Sequence, residues 1–259
     1  MRNCFSGPMK STLVVAFLLA AVIPSAGQAP AYKAPRRADR KPDLNGIWQA
    51  LNAANWDIQD HAAGPAPLSP LGAIGAIPPD LGVVEGDEIP YQPWAAAKKK
   101  ENADKRMTAD PEINCYLPGV PRANYMSHPF QIIQSQQHIM MLYQYAGAVR
   151  TIYMDSHREA PADSWMGWSN GRWEGETLVV DSTGFNDKTW FDRAGNFHSD
   201  ALHVVERYSA ISRDHLNYEV TIEDPKVFTR PWKMSMPPYR RLERMYKSWS
   251  SGAWSSWKN

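Results

Sequence analysis

The sequence predicts an all-β domain folded as an antiparallel meander, and three observations carry that reading. First, from Phe130 onward six short runs are rich in Val, Ile, Tyr and Thr: Phe130–Gln134, His138–Tyr145, Val149–Tyr153, Thr177–Ser182, His203–Ile211 and His215–Ile222. Second, turn clusters such as Ser169-Asn170-Gly171 and Ser212-Arg213-Asp214 separate them, the punctuation of antiparallel strands. Third, no long helices alternate with the runs, which argues against a parallel α/β sheet. Eleven Trp and eleven Tyr among 259 residues suit such a sheet, or a pocket that stacks a ligand.

The chain opens on a leader. Arg2 and Lys10 precede a mostly apolar run from Thr12 to Ile23, and Pro24-Ser25-Ala26-Gly27 supplies small residues for cleavage. Residues 1–27 therefore read as a secretory signal peptide, and the protein as periplasmic or secreted. The apolar run is too short for a membrane span. Cys4 precedes the run, so it is not a lipid-attachment site. Without Arg2 and Lys10 the remainder carries a net charge near −1. That balance argues against nucleic acid or an anionic membrane as the main partner and leaves a small molecule.

Residues 28–42, rich in Pro and Arg, read as a flexible linker. The barrel domain is expected over 43–243. It begins with a strand near Ile47–Leu51, followed by a long irregular excursion rich in Ala, Pro and Gly. Gln92–Arg106 (QPWAAAKKKENADKR) holds good helix formers and predicts one short surface helix. Glu174-Gly175-Glu176 reads as a tight hairpin turn. Strand periodicity puts Leu202, Val204, Glu206 and Tyr208 on one face and His203, Val205 and Arg207 on the other. Glu206 thus points with apolar residues, and a carboxylate there needs a partner or a cavity.

Three segments carry a resemblance: Gly171-Arg172-Trp173-Glu174-Gly175-Glu176-Thr177-Leu178-Val179-Val180-Asp181, then Gly184-Phe185-Asn186-Asp187-Lys188-Thr189-Trp190, then His198-Ser199-Asp200-Ala201-Leu202-His203-Val204-Val205-Glu206-Arg207-Tyr208. The chain resembles, over about residues 42–243, a large family of secreted bacterial proteins to which no common activity attaches. Gly46-Ile47-Trp48 ahead of a meander also resembles the opening of lipocalin-type barrels, which implies a barrel around a ligand cavity.

The last stretch, 244–259, is unlike a strand or a helix. The resemblance implies an ending of the type Leu-Glu-x-Asn-x-x-Leu-Glu-Phe-x-Cys-Val-Glu-Phe. One base deleted before Met245 would convert such a segment into this Trp/Ser-rich tail. The alternative is a naturally divergent end. The slip would also account for Cys115 standing alone after the leader, an odd count in an exported chain.

No Gly-x-Ser-x-Gly, His-Glu-x-x-His, P-loop, dinucleotide or Cys-x-x-Cys motif occurs. The densest polar cluster runs from Asp181 to Glu206. His198 is the leading general base, with Asp187 and Asp192 near in sequence to orient it; His203 and Glu206 complete the catalytic candidates. Asp181, Asp187 and Asp200 are the candidate Ca²⁺ ligands. Arg122, Tyr125, His128, Trp168 and Trp190 are candidates to line a ligand-binding mouth. The plainer reading is a polar connection between strands, with the Trp residues in core packing. The function expected is an exported hydrolase of small ester or lactone substrates, with water activated by the His/Asp cluster. The alternatives are a binding protein for an apolar or aromatic molecule, or an envelope-interaction protein.

Overall fold

A computed structural model describes residues 32–65, 67 and 75–241. The leader and the tail over 244–259 lie outside the described residues. Ten strands form one sheet: β1 (Gly46–Ala50), β2 (Phe130–Gln134), β3 (His138–Tyr143), β4 (Val149–Tyr153), β5 (Trp168–Glu174), β6 (Thr177–Thr183), β7 (His203–Ala210), β8 (Leu216–Glu223), β9 (Trp232–Met236) and β10 (Pro238–Arg240). Their order is β10-β1-β2-β3-β4-β5-β6-β7-β8-β9. This is the expected lipocalin-like, all-β barrel, nearly closed.

Closure comes from one stretch of chain that changes partner. β9 pairs with β8, and after Pro237 the same stretch, as β10, pairs with β1. The other edges of the stretch meet Val84 and His215 through single bridges. One pair departs from the antiparallel expectation. β4 and β5 run parallel, because residues 154–167 carry the chain back along the barrel before β5 begins. β5 also contains Ser169-Asn170-Gly171, which was expected as a turn. The hairpin at Gly175-Glu176 is as expected, with Glu174 paired to Thr177 across it.

The registers set the inward face. Trp48 opposes Phe130, Ile132 opposes Met141, Met141 opposes Arg150, Leu178 opposes Tyr208, and Glu206 opposes Val220. These residues are all buried, so side chains fill the barrel interior. Short turns (135–137, 175–176, 211–215) gather at one end. The connections 51–129, 184–202 and 224–231 gather at the other, the loop-rich end.

At the short-turn end Arg240 lies over the Trp48 ring at 4.1 Å. It donates to the Asn45 carbonyl (Nη1, 2.8 Å) and the Arg213 carbonyl (Nε, 3.0 Å). Glycine suits position 46, because its φ of +148° strains any other residue and a Cβ there would displace Arg240 Nη1. The described part of the expected flexible linker is packed here: Arg36 pairs with Glu176, Arg37 donates to the Ser135 carbonyl, and Ala34 is buried.

In the long excursion, α1 (Pro93–Asp104) matches the expected helix and is followed by a single turn, α2 (Arg106–Ala109). Pro93 sits in the first turn, where its missing N–H costs nothing. Among the described residues no helix is long and apolar enough to cross a membrane.

Candidate functional site

Glu206 has the partner its position demands. It is fully buried and paired with Arg150. Arg150 also donates to Ser169 Oγ (Nε, 2.8 Å) and Ser182 Oγ (Nη2, 2.8 Å). Glu206 Oε1 accepts from Asn124 Nδ2 (2.9 Å) and from the hydroxyls of Tyr208 and Tyr218 (2.8 Å each). Tyr143 donates to Asn124 Oδ1 (2.9 Å). Burial opposes the Arg150 charge, but Glu206 beside it outweighs that and raises its pKa. Burial, reinforced by Glu206, raises the Tyr208 and Tyr218 hydroxyls. The network is sealed: every member is buried, and Asn124 enters it from the 117–126 loop. Its chemistry is cohesion, not turnover.

His198 is not at an open mouth. It is 3% exposed, packed against Phe185 and Phe191, with Nε2 on Thr189 Oγ1 (2.6 Å) and Nδ1 on the Ser199 carbonyl (2.8 Å). Burial lowers its pKa. None of the expected carboxylates hydrogen-bonds it. Asp192, fully buried, accepts from the backbone N–H of Ile58 and Asn196 and from the Asn196 side chain. Burial and then the Asp57 charge push Asp192 up to about 7, against those three donors. Asp187 is exposed.

The three aspartates expected as Ca²⁺ ligands are not brought together. Asp181 holds His203, Asp200 pairs with Lys226, and Asp187 joins neither. Among the described residues no three His, Cys, Asp or Glu side chains form a metal-holding group. His203 stands on the outer face between Asp181 (Nε2, 3.2 Å) and Glu223 (Nδ1, 3.1 Å), away from Glu206. Of the expected mouth residues, His128 is exposed beside Tyr145, and Trp168 stacks on Tyr153 at 4.6 Å. Trp190 bridges to Phe197. Tyr125 is buried and donates to the Phe191 carbonyl (2.8 Å).

Arg122 leads to the site that the sequence reading missed. It is buried at the loop-rich end, bidentate to Asp110 (2.8 and 3.0 Å). It also donates to Glu112 (2.7 Å) and Asn55 Oδ1 (2.8 Å). Arg193 closes the set with two bonds to Glu112 (2.7 and 2.6 Å) and lies over the Trp56 ring at 4.1 Å. Asp110 owes its position to local structure, since it caps the 3-10 turn Pro111–Asn114 by accepting from Glu112 N–H. Glu112 is held below the usual carboxylate range by Arg193 and Arg122, despite its burial.

Against this lattice lies a cleft of about 370 Å³, lined by Trp56, Arg106, Met107, Asp110, Ile113 and Arg193 among others. Met107 and Ile113 expose 40% and 50% of their surface and give the cleft its apolar side. The available signals were modest: a lone Trp56 in an Ala/Pro/Gly-rich stretch, and Arg193 beside Asp192 in the polar cluster.

A scan against family models found no match, and a search of curated proteins found none.

Proposed function

We propose that this is an exported binding protein for a small, partly apolar molecule, held in the cleft at the loop-rich end. The observation that supports it is the combination of an aromatic and apolar lining with a wall whose charges are already cross-bonded. A wall so fixed loses little freedom when a ligand arrives, which favours binding. Export rests on the leader over 1–27. The hydrolytic reading draws less support, because a general base needs a free nitrogen facing water, and both His198 nitrogens are engaged within the core.

The test is titration with the neutral fluorophore N-phenyl-1-naphthylamine. Enhancement saturating at one site per chain, and weakened about tenfold or more by Ile113→Asp, is the expected result. Ile113 is half exposed, and an unaltered thermal melt checks that the variant is folded. Undiminished binding by the variant removes the cleft from the proposal, and no saturable binding removes the proposal itself. Ester or acyl-lactone turnover abolished by His198→Ala would restore hydrolysis.

A further inference from the structure

We infer that the cleft takes an organic anion, a carboxylate on a short aromatic or aliphatic body, with Arg106 as its counter-charge. This rests on the binding role proposed above.

The two acids of the cleft wall are already matched. Asp110 is bound by the Arg122 fork, and Glu112 by Arg122, Arg193 and, at 3.3–3.4 Å, the Asn55 amide. Two acids and two guanidiniums cancel, and their acceptor oxygens are occupied. A cationic or donor-rich ligand would find little to receive it.

Donors, in contrast, are left over. Arg106 lines the cleft, and no carboxylate among the described residues lies within salt-bridge distance of it. Arg193 uses Nε and Nη2 on Glu112, and its Nη1 makes no hydrogen bond among the described residues. Among the described residues the surplus is therefore one positive charge and free N–H groups on guanidinium planes, which suit a carboxylate. Trp56, Met107 and Ile113 supply the apolar contact. A volume of about 370 Å³ is at the small end for ligand sites, and fits a single ring or a short chain better than a lipid.

The experiment is calorimetric titration of the full chain with three compounds of one shape: 3-phenylpropanoate, its neutral amide, and 3-phenylpropylamine. The acid is expected to bind roughly tenfold more tightly than the amide, the scale of one charge-assisted hydrogen bond, with the amine weakest. Arg106→Gln should abolish the preference for the acid over the amide. An unaltered thermal melt would show that the variant is folded. Equal binding of acid and amide, or a preference that survives Arg106→Gln, overturns the inference while leaving a binding cleft in place. Binding of the neutral fluorophore with none of the three compounds bound also overturns it. Failure of the fluorophore and all three compounds removes the binding role as well.

Discussion

Arg150 and Glu206 show how much depends on single residues inside the barrel. Each charge is tolerable there only because the other is present, and because two serines, two tyrosines and Asn124 use the remaining hydrogen-bonding capacity. Removing one partner leaves a buried charge without its counterion. Arg150→Met is expected to cost about 3–5 kcal/mol in urea unfolding. Arg150→Met with Glu206→Gln is expected to cost clearly less than the two single changes together. Strict additivity would show that the pair is not coupled. Half of this was legible beforehand. The alternation of β7 placed Glu206 among apolar residues, but Arg150 was hidden. In Val149–Tyr153 the phase containing Val149, Thr151 and Tyr153 looks more like a core face than the phase containing Arg150 and Ile152. The protein buries the latter.

At the scale of elements, strands written in β-branched and aromatic residues were visible, and β2 and β4 fall where their composition places them. β5 was hidden because its interior positions must be small or polar. Ser169 receives Arg150, Asn170 clamps the backbone of Arg158, and a Cβ at Gly171 would collide with Met154 and Ile152. β9 and β10 were hidden by Pro231, Pro237 and Pro238, which suit a stretch that changes partner at a sheet seam. The cleft was harder still to see, since Trp56, Arg106, Asp110 and Arg193 come from three separate parts of the chain. The seam gives an element-level prediction. Arg240→Lys keeps the charge but loses the fork over Trp48, and should cost about 2 kcal/mol. Gly46→Ala and Arg240→Ala should combine to less than the sum of their separate losses, because the first already displaces the guanidinium. Additive urea midpoints would refute that shared contact.

For the whole molecule, two buried groups set opposing responses to pH. His198 has a folded pKa below its ordinary value of 6.5, so the unfolded chain takes up the proton first and stability falls as pH drops below about 6.5. Asp192 is raised to about 7 from 3.8, so the folded chain takes up the proton first and stability rises as pH falls through that window. The two slopes partly cancel. Asp192→Asn should make stability rise more steeply with pH between 4.5 and 7, and His198→Phe should flatten or reverse the rise. Urea midpoints across that range decide, and parallel curves for all three proteins would refute both assignments.

The Arg240 clamp also governs the order in which the barrel can be made. The arginine and the Asn45 carbonyl it binds are 195 positions apart. β1 is synthesised early, yet one of its two neighbours, β10, comes about 190 residues later. Until then its edge is open to any other strand, the situation in which partly made sheets aggregate. Contacts of such long range also slow folding. A chain held extended until its final strand is available escapes that hazard, and passage through a membrane channel in unfolded form would impose that delay.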